Sequence, residues 1–195
     1  CIRDSSGMGL AYFIDRCGRG LDEFAELRFD PSGSAVLLVG SQNNGQGHET
    51  AYANIVAQGL GLDRNLIRVV QGDTDQVAFG RGTGGSRALA VGGNAVHLAT
   101  GRIRAKLEAI AAHLLEGDIS ALRQEEGRFH LTGTNHSVTL ADCVRAAFAP
   151  SLLPPGMEPG LSIAAHYRPE RPTFPNGCHI ARVEIDIETA EIRLT

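Results

Sequence analysis

The sequence predicts an α+β fold, with mixed or antiparallel sheets and helices packed on them. Three observations carry that expectation. Residues 24–30 alternate, with Ala25, Leu27 and Phe29 on one face and Phe24, Glu26, Arg28 and Asp30 on the other, the period of a half-buried strand. Tyr52, Ile55, Val56, Gly59 and Leu60 recur at the spacing of one helical face. Ala99, Ile103, Leu107, Ile110, Ala111 and Leu114 form a second, longer helical stripe.

The elements follow in order. Residues 8–16 carry Leu10, Tyr12 and Ile14 on one side and Ala11 and Phe13 on the other, which predicts a strand buried on both faces. Cys17-Gly18-Arg19-Gly20 reads as a loop. Asp30-Pro31-Ser32-Gly33 has the proline of a tight turn, and residues 35–40 return as a strand. Three antiparallel strands are thus expected to lead into Ser41-Gln42-Asn43-Asn44. A helix is predicted over 49–58 with Gly59 or Gly61 as its C-cap, and a strand over 67–71. Residues 72–87 show no regular pattern; an irregular stretch of that length in a compact region is usually either functional or disordered, and its polar and glycine content fits ligand contact. A long helix is predicted over 89–115, where Gly92-Gly93 permits close packing. Residues 127–132 suggest a strand and Gly133-Thr134-Asn135-His136 a turn. Thr139 with Asp142 forms a capping box for a short helix carrying Leu140, Cys143, Val144, Ala147 and Phe148. Seven prolines between 150 and 175 leave little room for helix, although 161–167 read as a strand. Residues 180–187 alternate again, and Glu188-Thr189-Ala190-Glu191 turns the chain into Ile192-Arg193-Leu194.

Composition bounds the function. The 195 residues are 43% hydrophobic and 21% charged, ordinary for a globular protein with a real core. A net charge of −4 with no basic run disfavours nucleic acid, and no apolar run is long enough to cross a bilayer. Cys1, Cys17, Cys143 and Cys178 are scattered with no C-x-x-C pair, so no metal site is expected and free thiols in a cytoplasmic setting are. The chain opens on Cys1 and stops at Leu194-Thr195 within a return strand, which reads as a piece of a longer polypeptide.

Two glycine-rich segments carry the chemistry. Gly45-Gln46-Gly47-His48-Glu49-Thr50 enters the first helix, and Gly80-Arg81-Gly82-Thr83-Gly84-Gly85-Ser86-Arg87 precedes the second. Free N–H groups and the helix dipole favour anions there, and glycine lets backbone approach a ligand. Neither loop has the lysine of a P-loop. Gly80, Gly82 and Gly85 fit the bare dinucleotide pattern, but eight residues separate them from the preceding strand, and the acid at the right distance, Glu108, lies in a helix.

With Val-Val-Gln-Gly-Asp-Thr-Asp at 69–75 and Phe-Pro-Asn-Gly-Cys-His-Ile-Ala at 174–181, these segments resemble the molybdenum-cofactor-binding subunit of the xanthine dehydrogenase and aldehyde oxidase family. The similarity is closest to its carbon monoxide dehydrogenase large-subunit branch and runs over nearly the whole chain. The resemblance implies a cofactor-binding set of Gly45, Gln46, Gly47, His48, Thr83, Gly84, Gly85 and Ser86. It implies a molybdenum–molybdopterin cytosine dinucleotide cofactor, a small-molecule substrate, the remainder of the large subunit, and partner subunits carrying FAD and 2Fe–2S clusters. Gln46 would orient the cofactor through its amide. His48, a lone histidine without a carboxylate partner, reads as structural from the residues alone. Arg81 and Arg87 offer either phosphate ligands or interdomain contacts, and Asp73 and Asp75 read as turn formers. No catalytic residue is assigned, because the family's glutamate base and cysteine loop have no match here. The chain alone is therefore expected to be inactive. The expected organisation is a cofactor-cradle lobe over 1–117, a strand–turn–helix unit over 118–149, and a proline-rich connection with a hairpin over 150–195. The rival readings are a nucleotide-binding fragment using Gly80, Gly82 and Gly85, and a non-catalytic interaction domain.

Overall fold

The computed structural model describes residues 5–18 and 22–195, so Cys1 and positions 19–20 of the predicted first loop lie outside the described residues. The chain runs β1 (Ser6–Ile14), β2 (Glu23–Phe29), β3 (Ala35–Val39), α1 (His48–Leu60), β4 (Ile67–Val70) and α2 (Asn94–Leu114). It continues with β5 (Leu122–Glu125), β6 (Arg128–Leu131), β7 (Ser137–Thr139), α3 (Leu140–Ala146), β8 (Ser162–Tyr167), β9 (Asn176–Ile185) and β10 (Ile192–Leu194).

The alternation in β2 aims Ala25, Leu27 and Phe29 into the core, where Leu27 lies opposite Leu37 of β3 and both are fully buried. This central sheet has the order β4-β3-β2-β8. Strand β2 is antiparallel to both neighbours, whereas β3 and β4 are parallel and joined through α1. Parallel neighbours require such a crossover, which brings the N-terminus of α1 to the end of β3.

Both predicted helical stripes face the core, with Ile55, Gly59 and Leu114 half-buried at their margins. Tyr52, Val56 and Leu60 of α1 and Ile103, Leu107 and Ile110 of α2 meet the sheet in one continuous core. The two helices cross closely: a Cβ added at Gly59 would come within 2.6 Å of Thr100 Cγ2. Gly61 ends α1 in the left-handed conformation, as a C-cap glycine does. The small sheet β5-β6-β7 with α3 packs beside α2 through Phe129, Leu140 and Val144. Thr139 and Asp142 form the predicted capping box. Strand β5, which sequence reasoning did not anticipate, is polar apart from Leu122, and that explains its weak signal.

Strand β1 departs from expectation. It does not join β2 but pairs along its whole length with β9, and β10 completes a separate sheet of order β1-β9-β10. Its continuous apolar run predicts burial on both faces, yet Leu10, Tyr12 and Ile14 are 69%, 65% and 62% exposed. Pairing across some 170 residues leaves no local trace in the sequence, which is why the three-strand expectation fails. No described helix is long and apolar enough to cross a membrane.

Candidate cofactor site

Where β3 ends, the backbone of Gly40 lies against that of Gly80. A Cβ at Gly40 would sit 2.3 Å from Glu23 Oε1 and 2.5 Å from the Gly80 Cα, and one at Gly80 would meet Gly40 O at 2.4 Å. The Gly82 amide donates to Gly40 O at 3.2 Å. Thr83 strengthens this seam: its Oγ1 accepts from the Gln42 amide at 3.1 Å and donates to the Gln42 carbonyl. Sequence therefore brings residues 80–87 back onto residues 40–46.

The first loop enters α1 through Gly47, whose φ of 80° is the left-handed conformation, and no side chain caps the helix. Gln46 folds back onto its own loop, accepting from the Asn44 amide and donating weakly to Gln42 O at 3.4 Å. Asn43 accepts from the Gly45 amide at 3.0 Å. In the second loop Ser86, though not glycine, holds a φ of 52°, and its hydroxyl donates to Asp15 Oδ2 at 2.6 Å. Such a conformation is costly for a residue with a Cβ and clusters at functional sites.

Behind the loops lies a buried polar layer. Arg87, 3% exposed, pairs with the fully buried Glu23 at 2.7 Å and donates to Gly82 O at 2.8 Å and Asp22 O at 2.7 Å. Burial pushes the Glu23 carboxyl up, against the pull of the Phe24 amide and the Arg87 guanidinium. Tyr52, fully buried, shares a hydrogen bond with Ser41 Oγ at 2.9 Å and donates to Ala88 O at 2.7 Å. That carbonyl belongs to a π-helical turn, Ala88–Gly93, which opens α2 and whose Gly92 leaves room for the tyrosine hydroxyl. Gln71 Nε2 has two hydrogens for three partners in reach: Ser41 O at 2.7 Å, Ser41 Oγ at 2.9 Å and His48 Nδ1 at 3.3 Å. His48 is 5% exposed and tilted against the Tyr52 ring, and burial lowers its basicity. Among the described residues, Gln71 Oε1 and Arg87 Nε are the buried side-chain polar atoms without a hydrogen-bond partner.

The two loops open onto one cavity of about 370 Å³. Of the predicted set, Gln46, His48, Thr83, Gly84 and Ser86 line it, while Gly45, Gly47 and Gly85 lie beside them in the chain without lining it. Sequence reasoning missed the apolar wall formed by Tyr52, Ala88 and Leu89. Tyr52 was legible only as a core residue of the α1 stripe, and the signal for its second role was Gly92, which faces it. Arg87 does not stand free for phosphate, since the buried Glu23 holds it. Arg81 is tied to Asp22 at 3.3 Å and lies over the Phe79 ring. Asp73 accepts from the Asp75 amide at 3.0 Å and caps a turn. Because Gly80 is closed against Gly40, it offers no approach for a pyrophosphate, and the nucleotide-fragment reading fails on that contact.

A mixed sheet with two glycine loops meeting over one partly apolar cavity defines an α+β cofactor-binding domain. Comparison with known proteins gives its family. The chain belongs to the molybdopterin cofactor-binding domain family, which it matches over residues 2–195. It is 39% identical over 189 residues to the carbon monoxide dehydrogenase large chain of Hydrogenophaga pseudoflava, covering 96% of this chain and 23% of that one. Among solved structures it superimposes on the reconstituted carbon monoxide dehydrogenase from Oligotropha carboxidovorans with a TM-score of 0.89 at 34% identity, covering 97% of this chain and 25% of the other. It matches quinoline 2-oxidoreductase from Pseudomonas putida 86 with a TM-score of 0.86 at 31% identity, covering 98% and 26%. The chain thus spans about a quarter of the length of the relatives it matches.

Proposed function

We propose that this chain forms one wall of the pterin site in a molybdenum hydroxylase, an oxidoreductase that oxidises a small carbon substrate with oxygen taken from water. The observation that carries this reading is a cavity lined by residues of both glycine-rich loops. The residues fit a large planar, phosphate-bearing ligand. A Cβ built at Gly45, Gly47, Gly82 or Gly84 meets nothing within 4 Å, so these loops present bare backbone to open space. Gly47 leaves the first amides of α1 without a side-chain cap, free to donate to an anion. Thr83 and Ser86 add hydroxyls at the rim, and the exposed Leu89 gives an apolar wall with the buried Tyr52 behind it. Gln46 would release its internal hydrogen bonds to bind the pterin edge.

Molybdenum held by the pterin would supply the redox chemistry, and the cofactor is proposed in its cytosine dinucleotide form. This chain binds, orients and excludes water, while the general base and the rest of the pocket lie elsewhere in the polypeptide. The relatives' names, large chain and large subunit, support further subunits, which are proposed to carry FAD and 2Fe–2S clusters, and carbon monoxide or an N-heterocycle as the substrate class.

Gly84 gives the cleanest test, because its Cβ would touch no protein atom. Replacement by valine in the full-length polypeptide is expected to lower pterin and molybdenum content several-fold at unchanged melting temperature. Full cofactor content in Gly84→Val would refute the reading. Gly47→Val is less informative, since its left-handed φ strains any side chain whether or not a ligand is present.

A further inference from the structure

The sheet β1-β9-β10 is apolar on both sides, and the register assigns each side. On the first face lie Met8, Leu10, Tyr12 and Ile14 of β1 with Ile180 and Cys178 of β9. On the second lie Ala11 and Phe13 with Ala181 and Val183, extended by Ile185, Ile192 and Leu194. None of the described residues of these strands belongs to the buried core, and Leu10, Ile180 and Leu194 are 69%, 65% and 78% exposed. Charge is confined to one corner of the first face, where Arg182, Glu184 and Arg193 sit together. The second face carries no charged side chain in these strands, and its one ring nitrogen pair, on His179, is stacked on Phe13 at 5.6 Å.

An antiparallel sheet that is free on one side alternates apolar and polar residues, whereas a run apolar at every position fits a strand covered on both sides. Apolar area of this extent, left open, marks an interface. A second copy of the chain does not account for it. A two-fold contact would cover one face only, and covering the other face with further copies would generate an open stack. The relatives provide another occupant, since about three quarters of their length lies outside the region matched here.

We propose that both faces of this sheet are covered by apolar segments of the polypeptide flanking this chain in its full-length parent, so that β1, β9 and β10 form the middle layer of a three-layer packing. The charged corner of Arg182, Glu184 and Arg193 marks where the cover on the first face ends. The small side chains of Gly7, Gly9 and Ala11 on the second face let its covering layer approach closely. This inference rests on the reading of the chain as part of a longer hydroxylase, though it does not depend on the cofactor.

Two native side chains report the two faces without any substitution. Cys178 is exposed on the first and His179 on the second. The full-length polypeptide would be treated with a maleimide for Cys178 and with diethyl pyrocarbonate for His179, each peptide being followed by mass spectrometry. Both residues are expected to react more than about tenfold slower than in the same polypeptide unfolded in urea. Reaction at the unfolded rate at both positions overturns the proposal. Protection at one position alone overturns the two-sided packing, and protection that disappears on dilution assigns the surface to a second copy instead. Pterin content measured on the same preparation separates this from the functional reading. A protected sheet in protein lacking pterin would refute the cofactor assignment alone, and a reactive sheet in pterin-loaded protein would refute the docking alone.

Discussion

Leu27 and Leu10 stand at mid-strand in two sheets of the same molecule, one fully buried and the other 69% exposed. The sequence around them differs in period: β2 alternates, and β1 is apolar throughout. Strand β2 finds everything its pattern asks for within this chain, with α2 on its apolar face and the Glu23–Arg87 pair at its end. Strand β1 does not. Hydrophobic period therefore states how many faces a strand needs covered, while the source of the cover is a separate fact that the period does not carry.

The contrast can be broken most forcefully at Glu23. Removing it leaves the buried Arg87 guanidinium uncompensated, at a cost of about 3–5 kcal/mol, so Glu23→Ala is expected to lower the urea midpoint sharply and to loosen residues 82–87. A small shift would mean that water reaches this pair and that the central sheet is less closed than described. Next comes the direct comparison of the two leucines. Leu27→Ala should lose about 2–5 kcal/mol, whereas Leu10→Ala in this chain should stay within about 0.5 kcal/mol. Equal losses by chemical denaturation would show that β1 is already covered. Thr139→Ala falls between the two, at about 1 kcal/mol for the lost helix cap. Circular dichroism should show the small sheet and α3 loosening while the central sheet holds.

The smallest expected effect concerns pH. Burial depresses the His48 pKa below its ordinary 6.5, so the fold favours the neutral imidazole. Protons then bind the unfolded chain preferentially, and stability should decline as pH falls from 6.5 through the lower folded value. Gln in place of His48 should flatten that slope without altering the neutral-pH melting temperature greatly. A second loss belongs below about pH 4, where the Asp30 carboxyl, held low by Ser32 and Ser34, and Asp142, held low by Thr139, take up protons. An unchanged pH profile in His48→Gln would place the histidine in contact with solvent.

Much of the fold was legible because it is local. The α1 and α2 stripes, the capping box at Thr139 and the turn at Asp30 each declare themselves within a few residues. So did most of the cavity's rim, since Gln46, Thr83 and Ser86 lie in loops whose glycines stand out against any background. The remainder depended on distance. Nothing near Arg87 announces that its partner is Glu23, 64 residues earlier, and nothing near Tyr12 announces Cys178. The π-helical turn at Ala88–Gly93 was hidden because one extra residue in a helical turn barely shifts the apolar period. Tyr52 could be read as core but not as cavity wall, because a helix stripe does not say which of its residues stands at an opening.

The position of β8 has a kinetic consequence. Strands β2, β3 and β4 and helix α1 all lie within the first 70 residues, and their contacts close over short loops. The other edge of β2 pairs with β8, with Ala25 opposite Ala165. During synthesis, at the usual 5–20 residues per second, that edge would wait on the order of 7–30 s for its neighbour to leave the ribosome. An unpaired edge beside an apolar face invites association with other nascent chains over that interval. Closing a loop of such length is also entropically late in refolding from denaturant, so β2–β8 pairing should limit the rate at which the central sheet is completed.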